Sequence, residues 1–266
     1  MSFKLIVSDI DGTFLNSKKQ VSPATIDVCR KLYFEKGVRF ALASGRGRAG
    51  IRPVVDALGL PAFVLACNGA EIFDESGASF YRAPLPLAET LALKSAVRDL
   101  SPDVETIVYA GDDWIADAMT DVVRGECYVM PIPPLVGDLE TVMPENAPIL
   151  KMIGVGTVES TTALMNKLAP AFPRCDFYKS QHYIMEAVAK GVNKAAGLDV
   201  LCARCGVDVS ETVAFGDSYN DTEMLSRAGL GVAMGNAAPD VRKFAKRVTA
   251  TNDDDGIAKA LTEIFY

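Results

Sequence analysis

Two aspartates separated by one residue follow the first apolar segment of the chain. Residues 5–7 (Leu-Ile-Val) form a short run typical of a fully buried strand. Asp9 and Asp11 come next, before Gly12 allows the chain to turn. We expect no nearby lysine or arginine to neutralise this pair, so the two carboxylates favour a bound cation. The alternative is a polar turn, since Asp-Gly is a common turn dipeptide, and these residues alone do not decide between the two.

Polar side chains also follow later apolar segments or begin a helix. They are Ser44 and Gly45, then Lys194, and finally Asp217, Asn220 and Asp221. In a parallel sheet the carboxyl ends of the strands lie at one edge, so these groups can converge there. A hard cation prefers carboxylate oxygens, and a phosphate prefers a lysine, a hydroxyl and backbone N–H donors near glycine. The set therefore matches the needs of phosphoryl transfer.

The elements that must position these residues alternate between buried strands and helices. This alternation in residues 1–83 and 188–266 predicts an α/β fold, a doubly wound Rossmann-like parallel sheet. Between them, residues 84–187 mix helices with hairpin-like strands and include an irregular stretch over 130–148. We expect this segment to be an inserted α+β domain.

Composition excludes several classes of function. The chain has 266 residues and a formal net charge of −7, which disfavours nucleic acid and anionic membranes as partners. It has no apolar run of about 18 residues and no secretory signal pattern, so we expect a cytoplasmic protein whose six cysteines are reduced. With His182 as the one histidine, a Ser-His-Asp triad and a multi-histidine metal site are disfavoured, and we expect carboxylates to carry the chemistry.

The polar segments resemble the four motifs of the haloacid dehalogenase (HAD) superfamily, in the order that superfamily uses. Residues 9–13 (Asp-Ile-Asp-Gly-Thr) are similar to its D-x-D-G-T signature, and residues 216–221 are similar to its G-D-x-x-N-D motif. Ser44 and Lys194 occupy the positions of its Thr/Ser and lysine motifs. Additional stretches resemble the Cof-type phosphatase branch, which carries a large inserted cap (type IIB); they are residues 68–70, 190–194, 233–237 and 255–257.

This resemblance implies roles for the residues of the first and last motifs. Asp9 is expected to be the nucleophile that forms an aspartyl-phosphate, and Asp11 the general acid and then the general base. Mg²⁺ would be held by side-chain oxygens of Asp9 and Asp217 and by the backbone carbonyl of Asp11.

The resemblance also implies a phosphate-binding set and one supporting acid. The set consists of Ile10 and Gly45 through their N–H groups, and of Ser44, Lys194 and Asn220 through their side chains. Asp221 is expected to hold a metal-bound water or to orient Lys194, rather than to ligate the metal directly.

The implied function is a Mg²⁺-dependent phosphatase of small phosphorylated metabolites such as sugar phosphates, acting as a monomer or small homo-oligomer. In this interpretation residues 84–187 are the cap that determines substrate specificity. Two alternatives remain open. One is a phosphosugar mutase on the same scaffold, which would need a basic cluster in the cap; the other is a non-catalytic protein that binds phosphorylated metabolites.

Overall fold

The structure, a computed structural model, describes residues 3–128 and 130–266. The strands are β1 Leu5–Asp9, β2 Arg39–Ala43, β3 Phe63–Ala66, β4 Glu71–Phe73, β5 Ser79–Arg82, β6 Glu105–Ala110, β7 Asp113–Ala116, β8 Leu135–Val136, β9 Ile149–Val155, β10 Cys175–Gln181, β11 Ile184–Ala189, β12 Thr212–Gly216, β13 Leu230–Ala233 and β14 Arg247–Val248. The helices are α1 Pro23–Lys36, α2 Arg48–Leu58, α3 Leu87–Leu100, α4 Asp121–Glu126, α5 Leu139–Val142, α6 Val158–Ala171, α7 Lys194–Cys205, α8 Thr222–Arg227, α9 Pro239–Arg242 and α10 Gly256–Phe265.

The chain divides into two compact units. Unit 1 consists of the residues up to Ser44, Ile51–Phe80 and Asn193–Tyr266, and unit 2 of Gly45–Gly50 and Tyr81–Val192. Each unit has its own sheet and its own cluster of buried apolar side chains.

The sheet of unit 1 has the strand order β14-β13-β12-β1-β2-β3-β4-β5. Strands from β14 to β3 run parallel, and β4 pairs antiparallel with β3. All five residues of β1 are buried, as expected for a central strand with helices on both faces. The predicted α/β fold with a parallel Rossmann-like sheet is confirmed.

Local sequence explains why the helices of unit 1 begin and end where they do. Ser22 accepts a hydrogen bond from the N–H of Thr25 at the start of α1, and Pro23 occupies the first turn. Gly37 ends the same helix with a φ of 67°, in the left-handed region that glycine adopts without strain. These caps fix where the chain enters β2.

Unit 2 contains a sheet with the strand order β10-β11-β9-β6-β7-β8. Its pairs are antiparallel, apart from β7 with β8. Buried side chains of α3 and α6 pack with one face of this sheet, represented by Val108 and Met152. Because side chains alternate along a strand, Tyr109 and Lys151 point to the opposite face.

One expectation about unit 2 is wrong. Residues 130–148, predicted to be irregular, contain β8 and α5, and α4 precedes them. Asp138 accepts a hydrogen bond from the N–H of Glu140 and so starts α5 despite the nearby prolines. Short elements of two to six residues show too little periodicity to be recognised in the sequence.

None of the helices within the described ranges has the length and apolar character needed to cross a membrane.

Candidate active site

The carboxyl ends of β1 and β12 are neighbours, and each carries an aspartate of the predicted site. The strands pair in parallel with Ser8 opposite Phe215. Asp9 therefore ends β1 beside the point where Gly216 ends β12 and Asp217 follows it. This adjacency explains how residues about 200 positions apart in sequence reach one location.

Lys194 connects the two strand ends. It begins α7, where Asn193 caps the helix by accepting a hydrogen bond from the N–H of Ala196. Its Nζ lies 2.5 Å from Oδ1 of Asp9 and 2.6 Å from Oδ1 of Asp221, and its side chain is completely buried. A buried ammonium in contact with two carboxylates is held by charge as well as by hydrogen bonds.

Asp221 is tied into the loop after β12. Its Oδ2 accepts hydrogen bonds from the N–H groups of Asp217 and Ser218, both at 3.0 Å, while its Oδ1 accepts from Lys194. A Cβ at Gly216 would overlap Asp221, so the close approach requires glycine. These contacts favour a role for Asp221 in orienting Lys194.

Asp217 is held by two side chains of neighbouring loops. Thr13 donates a hydrogen bond to its Oδ1 at 2.8 Å, and the Asn236 amide lies 3.3 Å from its Oδ2. Gly12 adopts a φ of 80°, and a Cβ there would overlap the Asp217 carboxylate. Gly12 thus serves both the turn after β1 and the close approach of the acid.

Negative charge is in excess in this cluster. Burial, together with the charge of Asp221, raises the pKa of Asp9 well above its usual range, although Lys194 opposes the shift. Burial likewise raises the pKa of Asp217 to about 6 against the hydrogen bond from Thr13. Burial alone would lower the pKa of Lys194, but the charges of Asp221 and Asp9 outweigh it and raise that pKa above its usual range.

The residues present fit a divalent cation. Each of Asp9, Asp217 and Asp221 offers a carboxylate oxygen, and these oxygens lie within 4.8 Å of one another. Oδ2 of Asp9 is the one buried side-chain polar atom in the described part of the chain that has no hydrogen-bond partner. A buried carboxylate oxygen that has no hydrogen-bond partner and lies in an acidic cluster is the type of ligand that Mg²⁺ prefers.

The expectation that no nearby lysine or arginine neutralises the first two aspartates is wrong. Lys194 contacts Asp9, and Lys19 Nζ lies 2.8 Å from Oδ1 of Asp11. The Asp11 side chain is 39% exposed, in contrast to the buried Asp9. The two aspartates thus differ in environment: Asp9 belongs to the buried cluster, and Asp11 stands at its accessible edge.

The predicted phosphate-binding residues are placed as follows. Ser44 is buried directly after β2, and Ile10 lies between the two aspartates with its side chain in the core. Asn220 belongs to the turn after β12 and donates a hydrogen bond to Oδ1 of Asn68. Gly45 belongs to unit 2.

The sequence analysis does not assign a role to three residues that contact members of the predicted site. Asn236 contacts Asp217, Lys19 contacts Asp11, and Asn68 contacts Asn220. Asn236 lies in the Cof-like stretch at 233–237, which was the available signal, whereas nothing in the local sequence marks Lys19.

Unit 2 has a polar cluster of its own on the face opposite α3 and α6. Lys151 Nζ lies 3.0 Å from Oε1 of Glu186 and 4.5 Å from the centre of the Tyr109 ring. The Tyr109 hydroxyl donates a hydrogen bond to Glu126, and burial raises the pKa of that glutamate. Lys151, Glu186 and Tyr109 are each at least 97% buried.

Comparison with known proteins identifies the family. Residues 6–261 match the model of the haloacid dehalogenase-like hydrolases, so the chain belongs to this family. A haloacid dehalogenase-like hydrolase from Bacteroides thetaiotaomicron is 33% identical, with a TM-score of 0.88 over 99% of this chain and 100% of that chain. The predicted family membership and the prediction that the chain is a hydrolase are confirmed.

Two further similar proteins carry names that specify substrates. The Bacillus subtilis 5-amino-6-(5-phospho-D-ribitylamino)uracil phosphatase YcsE is 29% identical over 264 residues, which cover 98% of this chain and 95% of YcsE. The HAD subclass IIB sugar phosphatase BT4131 is 26% identical, with a TM-score of 0.84 over 98% of both chains. Two proteins of comparable similarity thus have different substrates.

Proposed function

We propose that this protein is a Mg²⁺-dependent phosphatase that hydrolyses phosphomonoesters of small metabolites through an aspartyl-phosphate on Asp9. The observation that carries the proposal is the state of Asp9. Its carboxylate is buried against Lys194 at 2.5 Å, and its second oxygen has no hydrogen-bond partner among the described residues. A carboxylate so held, at the carboxyl end of a central strand, is positioned as a nucleophile.

In the first chemical step, an oxygen of Asp9 forms a bond to phosphorus while the bond from phosphorus to the leaving oxygen breaks. Asp11, at the accessible edge of the cluster, gives a proton to the departing alkoxide. In the second step Asp11 removes a proton from water, which attacks the phosphorus and returns Asp9 as a free carboxylate with release of inorganic phosphate.

Lys194 supports both steps through its charge. A carboxylate that attacks a phosphate dianion faces electrostatic repulsion, and the buried ammonium offsets part of it. Asp221 holds that ammonium in place with its own carboxylate, 2.6 Å away.

The side chains of Asp9 and Asp217 and the backbone carbonyl of Asp11 would hold Mg²⁺. When bound, the ion supplies positive charge that stabilises the transferring phosphoryl oxygens. The raised pKa values of Asp9 and Asp217 support this assignment, because a bound cation would favour the ionised carboxylates.

The phosphate is proposed to bind the Ser44 hydroxyl, the N–H groups of Ile10 and Gly45, and the Asn220 amide. We further propose residues 84–187 as the domain that selects the substrate, and sugar phosphates as its class. The support for that class is the similarity to the subclass IIB sugar phosphatase. A cytoplasmic location accords with the six free cysteines.

The test is release of phosphate from p-nitrophenyl phosphate by purified protein with Mg²⁺, with excess EDTA and by Asp9→Asn. We expect turnover with Mg²⁺, loss of it with EDTA, and a decrease of at least about ten-thousandfold in Asp9→Asn. The matched control is Glu186→Gln, which alters a buried carboxylate of unit 2 and leaves the acidic cluster intact. Full activity of Asp9→Asn contradicts the covalent mechanism.

The two alternative functions are separated by product analysis. A screen of sugar phosphates that compares kcat/KM is expected to show net phosphate release. Interconversion of hexose 1- and 6-phosphates without release would instead establish a mutase, and tight binding without turnover would establish a binding protein.

A further inference from the structure

Three consecutive residues after β3 adopt left-handed backbone conformations at the edge of the proposed active site. Cys67, Asn68 and Gly69 have φ values of 49°, 58° and 96°. Asparagine and glycine tolerate this region, whereas it is uncommon for cysteine. All three residues are buried. Conformations of this kind persist where the surrounding structure holds them, and they concentrate at functional sites.

The turn contacts three of the segments that carry proposed phosphate-binding groups. The Asn68 N–H donates to the carbonyl of Ser44 at 2.8 Å. The Asn68 side chain accepts a hydrogen bond from the Asn220 amide at 3.1 Å. Gly69 packs against the start of α7, and a Cβ there would lie 3.1 Å from the Asn193 carbonyl oxygen, immediately before Lys194.

We propose that Asn68 is a positioning residue that sets the orientation of the Asn220 amide toward the phosphate of the substrate. An asparagine amide carries a donor nitrogen on one side and an acceptor oxygen on the other, and the two are nearly equal in shape. Only the nitrogen attracts a phosphate oxygen. Oδ1 of Asn68 accepts a hydrogen bond from one N–H of the Asn220 amide. This contact favours the amide orientation in which the second N–H of the same nitrogen donates a hydrogen bond to a phosphate oxygen.

The left-handed turn explains why Asn68 is suited to position the Asn220 amide. The backbone N–H of Asn68 is fixed to β2 through Ser44, so its side chain starts from a rigid position. Asparagine is also among the residues that accept a φ of 58° with a side chain that can accept a hydrogen bond. The inference rests on the proposed phosphatase function, because it assigns a partner to one of that function's phosphate-binding groups.

The test is a double-mutant cycle with Asn68→Gly and Asn220→Ala. Glycine at position 68 keeps the left-handed backbone available and removes the acceptor oxygen. We measure kcat/KM for p-nitrophenyl phosphate and, by calorimetry, the affinity for inorganic phosphate in the presence of Mg²⁺. Each single variant is expected to lose about tenfold in both quantities, and the double variant is expected to lose no more than Asn220→Ala alone.

The matched control is Asn146→Gly, since Asn146 is also a left-handed asparagine, with a φ of 62°, but is exposed in unit 2. It is expected to behave like wild type. A merely structural role of Asn68 predicts a different result: Asn68→Gly would reduce activity equally in the wild-type and the Asn220→Ala backgrounds.

Additive losses, or a wild-type affinity for phosphate in Asn68→Gly, overturn the inference while leaving the proposed function intact. A wild-type protein that neither binds inorganic phosphate nor releases it from the ester contradicts the proposed function itself.

Discussion

Of the lysines that the structure describes, Lys194 in unit 1 and Lys151 in unit 2 have buried side chains, and their surroundings differ in charge. Lys194 contacts the carboxylates of Asp9 and Asp221, and Asp217 completes the acidic cluster. Lys151 forms an ion pair with Glu186 and lies over the ring of Tyr109. The same type of side chain is thus buried once against two carboxylates of a cluster of three aspartates, and once against Glu186 and an aromatic ring.

The difference indicates which cluster performs chemistry. Around Lys194, burial together with the charge of Asp221 raises the pKa of Asp9, and Oδ2 of Asp9 has no hydrogen-bond partner among the described residues. Titratable groups with a strongly shifted pKa in such settings are candidates for function, because a bound ligand can offset the interactions that shift the pKa. In a buried lysine–glutamate pair the two charges instead neutralise each other, and the fold is strongly destabilised when only one partner is removed. We therefore propose that Lys194 takes part in the reaction and that Lys151 belongs to the architecture of unit 2.

The largest difference is expected when each buried lysine is replaced by methionine, which keeps the length of the side chain and removes its charge. Lys194→Met is expected to lower kcat for p-nitrophenyl phosphate by about a hundredfold to a thousandfold, because the charge that offsets phosphate repulsion is lost. Lys151→Met is expected to change kcat by less than about fivefold, since Glu186 and Tyr109, which Lys151 contacts, are not among the proposed reacting groups. Steady-state kinetics well below the unfolding midpoint provide the measurement, and equal losses in both variants contradict the assignment.

The second prediction concerns stability in unit 2. Lys151→Met leaves the carboxylate of Glu186 buried without its lysine, so the free energy of unfolding is expected to fall by about 3 kcal/mol. Replacing the glutamate as well, in Lys151→Met/Glu186→Leu, removes the buried charge and is expected to restore most of that loss. Urea denaturation measures both changes. If Lys151→Met/Glu186→Leu is less stable than Lys151→Met, the carboxylate of Glu186 stabilises unit 2 by more than its pairing with Lys151, which contradicts this expectation.

A smaller effect is expected from pH. Because the pKa of Asp217 is about 6 in the folded protein against an ordinary value of 3.8, the native state binds this proton more tightly than the unfolded chain does. The free energy of unfolding of the metal-free protein should therefore fall as the pH rises from about 4 to 6, by roughly 2 kcal/mol. Asp9 contributes with the same sign, since its pKa is also raised. Stabilisation by added Mg²⁺ should grow over the same window, because the ligands must be ionised.

Denaturation at a series of pH values tests this expectation with two variants. Asp217→Asn should flatten the pH dependence, and Asp103→Asn, at an exposed position of unit 2, should leave it unchanged. If the free energy of unfolding of the metal-free protein instead rises between pH 4 and 6, the pKa of Asp217 is not raised in the folded state and the expectation is contradicted.

The parts of the site that were predictable from the sequence are those that the topology of a parallel sheet brings together. Asp9 and Asp217 each follow an apolar run, and in such a sheet the ends of β1 and β12 share one edge. Lys194 was predictable from its motif at the start of a helix. The fold class followed from the alternation of strands and helices, which a periodic sequence pattern records directly.

Contacts made through side-chain reach or strand register were not predictable. Lys19 reaches Asp11 across a turn in which Lys19 itself has a φ of 58°, and no spacing rule marks that pair. The Asn68–Asn220 hydrogen bond joins residues 152 positions apart. Lys151 contacts Glu186 because β9 pairs with β11. The pairing of strands in the inserted segment cannot be predicted from the local sequence pattern of each strand.

The central claim, that Asp9 carries the phosphoryl group, is tested most directly by trapping. The enzyme is mixed with excess p-nitrophenyl phosphate and Mg²⁺, quenched in acid within milliseconds and reduced with borohydride, which converts an aspartyl-phosphate to homoserine. Peptide mass spectrometry is expected to find homoserine at position 9 only in the sample that contained both substrate and Mg²⁺. The Asp9→Asn variant is expected to yield no homoserine under any condition. Turnover with unmodified Asp9, or homoserine at Asp11 or Asp217 instead, would contradict the account.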